Sequence, residues 1–501
     1  MIFNSIDFLI FFPSVLLVYF IVPIKVRKIW LLLASYYFYM CWNPLYGVLL
    51  LAITFITYLG AIGIGKVQKQ KIEAEKIKLL SNIIFIGCIA INLGSLIYFK
   101  YTNFLADTIN KILVKLSLGE LPSFDIVLPI GISFYMFTAL GYLTDVYQKK
   151  CEAEKNVLNC ALFTSFFPII LSGPIERSDN LLKQIKEDQK VMVWNYDRIA
   201  SGLMTMLWGF FQKLVITDRI AVLVNHVFEE YETYGIVALS IGAVAYGIQI
   251  YCDFNSYSTI ASGAARVLGF ELINNFETPY FAQSVTEFWR RWHISLSSWF
   301  RDYVYIPLGG NRKGKSRQYL NILITFSVSG LWHGANWTFI FWGFLHGIYQ
   351  IVEKEMTPII RKINEKMHTK TESFGYKFAK VIFTFIAVDF AWIFFRADSL
   401  KHALHYIERM ICYRDWWSLF NQSIYNLGLD VTEIHILCFG LLLVLIVDLV
   451  QYFKKQRFAE FMAEQWIVFR WVGLIVLFVI CVVFGYYGPG FNSANFIYSQ
   501  F

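Results

Sequence analysis

QYLNILITFSVSGLWHGANWTFIFWGFLHGIYQIV, residues 318–352, contains no Asp, Glu, Lys or Arg. A spanning helix needs about 20 apolar residues, rising 1.5 Å each. The stretch reads as two membrane helices, 318–332 and 336–352, that meet near His333. Working outward, similar apolar runs cover 6–23, 29–42, 45–65, 80–99, 128–147, 157–173, 199–227, 236–252, 378–395, 433–452 and 466–487.

Composition agrees. Of 501 residues, 57% are hydrophobic and 16% charged, against about 25% charged in a soluble domain. At about 20 residues per span, the apolar fraction leaves room for about 14 spans. A soluble chain, a disordered chain and a disulfide-rich secreted domain are excluded. So is an outer-membrane barrel, whose strands would alternate apolar and polar residues. The expected fold is all-α and polytopic.

The formal charge is +8, but the basic residues cluster between apolar runs, as the positive-inside bias requires. The clusters are Lys25–Lys28, Lys66–Lys78, Lys149–Lys155, Arg312–Arg317 and Lys454–Arg457. With these in the cytoplasm, the N-terminus and the acidic loop Glu229–Tyr234 lie outside. That count requires 157–173, which ends in Pro168 and Gly173-Pro174, to be a re-entrant element. The less apolar 254–275 is expected along the interface. The more polar 396–430 separates a C-terminal segment, 396–501, from a membrane core, 1–395. No continuous basic face points to nucleic acid. The eight cysteines show no metal spacing and read as reduced packing residues. Met1–Pro23 lacks a basic start and carries Asp7, so it reads as a retained first helix.

Within 318–352 the ionisable ring of His333 is costly and marks a functional site. Gly330 and Gly334 on either side permit close approach. Burial keeps the imidazole neutral, which suits a general base. Asn336, one turn on, is a candidate hydrogen-bond donor to an oxyanion or to the ring. The run Phe288–Tyr303 places Trp289, Trp292, Leu296, Trp299, Phe300 and Tyr303 at helical spacing, predicting one amphipathic helix at the membrane interface. His293 falls on its apolar side. Arg290 and Arg291, with Arg312 and Lys313, are candidates to hold an anionic cofactor. Gly309–Ser316 matches a phosphate-loop pattern, but that pattern has meaning only between a parallel strand and a helix. Asp253, at the end of a span, either orients a histidine or caps a helix. His346 and the remaining histidines read as structural. The GxSxG, HxxxxD and HExxH signatures are absent.

Longer motifs bring a family into view: Pro129–Tyr135, Phe166-Phe167-Pro168 through Gly173-Pro174-Ile175, Asp253-Phe254 with Tyr257-Ser258, Glu287–Leu296, Tyr305–Arg312, Trp332-His333-Gly334 and Phe394–Ala397. Over most of its length the chain resembles the membrane-bound O-acyltransferases, in particular the branch of alginate O-acetyltransferase membrane subunits. It departs from that branch at Asn255-Ser256, where Ser-Gly is frequent, and at Thr259, where Asp is frequent. The resemblance implies a ring of membrane helices, with re-entrant and interfacial elements, around a central tunnel. It implies His333 as the catalytic histidine and His293 as the second motif histidine. It also implies a cytoplasmic acyl thioester donor such as acetyl-CoA, a polysaccharide acceptor and an extracytoplasmic serine esterase-like partner, in a bacterial cytoplasmic membrane. D-alanyl transfer from a carrier protein to teichoic acid, or a transporter without catalysis, are the competing readings.

Overall fold

The computed structural model describes residues 1–122, 124, 126–187 and 194–486. Helix follows helix, and no strand occurs among the described residues. By their internal contacts these residues form two compact units. The first holds Met1–Leu203 and Ala261–Ile273, the second Met204–Ile260 and the residues from Asn274 onward. The 1–395 and 396–501 division expected from polarity is a different partition, one that separates polar from apolar segments.

The helices of the first unit are α1 (Ile6–Ile21), α2 (Ile24–Met40), α3 (Pro44–Gln68), α4 (Ala74–Lys115), α5 (Ile132–Tyr147), α6 (Val157–Ser165), α7 (Phe167–Ile170) and α8 (Lys183–Glu187). Two more, α9 (Tyr196–Phe211) and α11 (Ile236–Leu268), have residues in both units, and α10 (Asp218–Glu229) lies between them. The second unit adds α12 (Val285–Arg291), α13 (Ile294–Phe300), α14 (Lys315–His333), α15 (Trp337–Lys366), α16 (Phe374–Arg396), α17 (Leu400–Cys412), α18 (Val431–Lys454), α19 (Phe458–Ala463) and α20 (Ile467–Phe484).

Among the described residues, seven helical stretches are long and apolar enough to cross a membrane: α3, α4, α9 continuing through α10, α11, α16, α18 and α20. The protein is a multi-pass membrane protein. Its large side chains on α20 and on much of α18 remain exposed, as a lipid-facing surface requires and a water-facing one forbids. The pair α14 and α15 falls outside that set because of composition. The inward face of α14 carries Asn321, Thr325 and Ser329, and α15 carries charged residues beyond Val352.

Two expectations need correction. The segment 254–275 is not an interfacial strip. It continues α11 to Leu268, and Phe254, Tyr257, Ile260, Ala264 and Ala265 are fully buried. Alternating small and aromatic residues suit a close-packed interior helix better than a membrane surface. Residues 288–303 are not one interfacial helix either. The chain breaks at Trp292-His293 into α12 and α13, then tightens into a π-helical turn at Arg301–Tyr305. Its aromatic stripe, Trp289, Trp292, Trp299 and Phe300, packs inside protein. Residues 157–173 are two short helices broken at Phe166, with Pro168 at the second position of α7, in keeping with the discontinuous element expected there. Both are buried within the first unit, the setting that membrane-depth irregular backbone needs.

Helices α14 and α15 approach each other at backbone distance. A methyl group on Gly330 would strike the backbone carbonyl of Phe339, and one on Gly343 that of Phe326. Gly330→Ala must therefore push the helices apart, because backbone cannot yield as a flexible side chain does. We expect a loss of about 1–3 kcal/mol, typical of overpacking, read as a lowered unfolding midpoint in detergent together with reduced acyl transfer.

Candidate active site

His333 is the last residue of α14 and is 2% exposed. Its ring is enclosed by rings. Trp332 lies 5.0 Å away between centroids, Trp342 5.2 Å and Phe395 5.3 Å. His293 lies 6.4 Å away, inclined at 61°. The two motif histidines, 40 residues apart in sequence, thus share one buried cage assembled from α13, α14, α15 and α16, all in the second unit.

A backbone reversal brings His293 there. Its φ is +43°, in the left-handed region that residues other than glycine rarely occupy. Such a conformation costs about 1–3 kcal/mol and persists only when the surroundings enforce it. Asn275 does so. Its carbonyl accepts from Ile294 N at 3.0 Å, and its Oδ1 accepts from Ser295 Oγ at 2.6 Å. Its Nδ2 donates to Ser258 Oγ on α11 at 2.8 Å. The reversal turns the His293 ring onto Phe254, 4.4 Å between centroids, and toward His333. Burial, with the neighbouring His333 acting in the same direction, holds the His293 imidazole well below its ordinary pKa. The ring is neutral at pH 7.

Asn336 sits at the N-cap of α15. Its Oδ1 accepts from Thr338 N at 3.1 Å, and its Nδ2 donates to the Asp398 carbonyl at 3.0 Å. Both ends of the amide are thereby engaged in fixing the turn that follows His333. Loss of such a cap costs about 1 kcal/mol. Asn336→Ala is expected to lower the unfolding free energy by that amount, read as a lowered unfolding midpoint. Asn336→Asp, which keeps the capping oxygen, should restore most of it in the same unfolding assay.

The proposed donor-binding arginines and lysine divide by surroundings. Arg290, Arg312 and Lys313 are exposed. Arg291 is held internally by Glu287 at 2.5 Å, Thr278 at 3.3 Å and the face of Tyr452. The phosphate-loop-like segment Gly309–Ser316 is a glycine turn leading into α14, with Gly309, Gly310 and Gly314 at positive φ and no strand before it. His346 is fully buried, and its Nδ1 accepts from the indole of Trp289 at 3.3 Å.

Sequence reasoning passed over one group. Asp253 stands within α11, not at a helix end. It takes a 2.7 Å ion pair from Lys213, which also pairs with Asp218 at 2.9 Å. All three are buried, and a π-helical turn at Gln212–Thr217 sets Lys213 between the two carboxylates. The signal was present: Lys213 is an ionisable residue inside the apolar run 199–227, the kind of residue that marks a structured polar centre. Asp253 directly precedes Phe254, so the triad fixes the helix that carries one wall of the histidine cage.

Two imidazoles buried together in an aromatic cage are groups that can accept and return the proton of a hydroxyl. That makes the cage the candidate active site. The sequence profile of the membrane-bound O-acyltransferase family (MBOAT) matches residues 153–395. The chain is 37% identical over 418 residues to the "Probable alginate O-acetylase AlgI" of Pseudomonas putida, covering 83% of this chain and 81% of that protein. It is 33% identical to the "Peptidoglycan O-acetyltransferase" of Helicobacter pylori, over 80% and 78% of the two chains. It is 29% identical over 252 residues to the "Teichoic acid D-alanyltransferase" of Streptococcus thermophilus, over 47% and 59%. The chain belongs to the membrane-bound O-acyltransferase family and is an O-acyltransferase.

Proposed function

We propose that this enzyme takes an acetyl group from a cytoplasmic thioester, acetyl-CoA, and delivers it across the membrane for O-acetylation of an envelope or exported polysaccharide. The observation that carries the reading is the buried pairing of His293 with His333. The two relatives aligned over most of the chain are named for O-acetyl transfer to alginate and to peptidoglycan, which supports acetyl as the group and a polysaccharide as the acceptor.

In the proposed step, the His333 imidazole accepts the proton of an attacking hydroxyl as its oxygen bonds to the thioester carbonyl carbon. The carbon–sulfur bond then breaks, and the leaving thiolate takes the proton back from the imidazolium. No net proton is gained or lost. His293, neutral and 6.4 Å from His333, places no competing positive charge beside the imidazolium. Arg290, Arg312 and Lys313, exposed at the basic end of α14, meet the donor's phosphates on the cytoplasmic side. The 19 residues of α14 carry the chain about 27 Å from that end to His333, most of the roughly 30 Å hydrocarbon thickness. A donor bound on one side and a hydroxyl arriving from the other can therefore meet at His333. The N-terminus then lies outside the bacterial cytoplasmic membrane. The hydroxyl belongs to the polymer itself or to the serine of an extracytoplasmic esterase-like partner, since no Gly-x-Ser-x-Gly elbow occurs in this chain.

The test presents membranes containing the full chain with radiolabelled acetyl-CoA or with a D-alanyl carrier protein. Label passing to acceptor from acetyl-CoA alone supports the reading. Label passing only from the carrier protein replaces it with D-alanyl transfer.

A further inference from the structure

The first unit contains a cavity of about 640 Å³ at the basic ends of α3 and α5, closed by the segment 151–155. Five lysines line it, Lys66, Lys69, Lys149, Lys150 and Lys155, against the single carboxylate Glu152 among the lining residues. Glu152 is taken by Lys69 at 3.1 Å, and Lys150 lies 4.0 Å from Asp145. The ammonium groups of Lys66, Lys149 and Lys155 have no ion pair among the described residues. Positive-inside bias accounts for lysines at this end of a membrane helix. It does not account for their convergence on a concave site.

The walls are built firmly. Gln68 Nε2 donates to the carbonyls of Tyr147 at 3.1 Å and Val146 at 3.4 Å, joining the ends of α3 and α5. Tyr58 donates to the Lys155 carbonyl at 2.8 Å. A methyl on Gly65 would press on Ala153, so 151–155 lies tight against α3. Lys149 has φ +61°, a conformation in which glycine would be unstrained. A lysine therefore stands at the rim of the cavity at a position where its side chain carries a conformational cost. The floor is apolar, formed by Ile62, Val146 and Ala153.

We propose that this cavity is a binding site for a phosphate-bearing anion, seated at headgroup depth with its oxygens among Lys66, Lys149 and Lys155. Basic pockets between membrane helices hold anionic headgroups in this way, and lysine serves such groups as a mobile point charge. The apolar floor suits the glycerol and first methylenes of a lipid. A soluble phosphate would use the lysines alone.

The test uses the full chain in nanodiscs and a triple variant, Lys66→Gln with Lys149→Gly and Lys155→Gln. The glycine at 149 removes a charge while relieving the backbone. A control variant changes Lys362, Lys366 and Lys370 to Gln. Unfolding midpoints are measured in phosphatidylcholine discs, in discs with added phosphatidylglycerol, and in phosphatidylcholine discs with inorganic pyrophosphate. The expected result is a rise of several degrees with phosphatidylglycerol for the parent and the control, and at least a tenfold weaker lipid dependence for the triple variant. A rise with pyrophosphate instead, again lost only in the triple variant, keeps the phosphate site and assigns it to a soluble ligand. An equal response of all three proteins to both additives, or a control that loses as much as the triple variant, overturns the proposal.

Discussion

His333→Ala is expected to reduce acyl transfer by a factor of about 10²–10⁴, the range for loss of a positioned general base, at unchanged abundance in the membrane. Alanine alone leaves an ambiguity, because it empties space between Trp332, Trp342 and Phe395 and a cavity destabilises by itself. His333→Phe resolves it. Phenylalanine fills the cage and packs edge-on against the same rings, but has no nitrogen to accept a proton. It should unfold near the parent's midpoint and still be inactive. Radiolabel transferred from acetyl-CoA to acceptor, normalised to protein in the membrane, is the measurement. A Phe variant that transfers at the parent's rate would make His333 a packing residue.

The second large effect is on stability. Lys213→Met leaves Asp218 and Asp253 facing each other in the interior without their shared cation. Breaking a buried charge group by deleting one partner costs about 3–5 kcal/mol, because the desolvated carboxylates lose the ammonium they share. We expect a large drop in unfolding midpoint and loss of activity, since Phe254 beside Asp253 packs on His293. Adding Asp253→Asn removes one of the stranded carboxylates and should recover part of the stability. If the single variant unfolds like the parent, the triad does not brace α11. If the double variant is worse than the single, the two losses are independent and the triad is not a unit.

What was legible in the sequence follows from what the bilayer demands. Helices such as α3, α16, α18 and α20 could be read directly, because each must supply about 20 apolar residues without help from neighbours. Interior elements were harder. The stretch Phe254–Leu268 is polar enough to resemble a surface strip, yet tertiary packing makes it the buried half of α11. The run Phe288–Tyr303 has perfect helical spacing, but periodicity cannot reveal the reversal at His293. That reversal depends on Asn275, 18 residues earlier, and on Ser258 beyond it. His333 stood out because an imidazole within an uncharged span is conspicuous, whereas His293, next to Arg290 and Arg291, stood out only through the apolar side of its run and the family motif. The aromatic walls did not, since Trp342 and Phe395 look like any other apolar residues until α15 and α16 close around the ring. The engagement of Asn336 with Thr338 and Asp398 likewise depends on where the chain runs 62 residues later.

If the acyl group changes hands at His333, as proposed, the donor reaches it from one face of the bilayer and the acceptor from the other. The most direct measurement uses sealed proteoliposomes of the purified chain, with acetyl-CoA on the side of the basic loops and a hydroxyl acceptor on the opposite side. Free thiol is followed on the donor side and acetyl ester on the acceptor side. Transfer at His333 requires matched appearance of thiol and ester, dependence on both substrates in this sidedness, and loss of both signals in His333→Phe. Thiol and ester appearing at undiminished rates in His333→Phe, or ester forming only when donor and acceptor share one side, would contradict it.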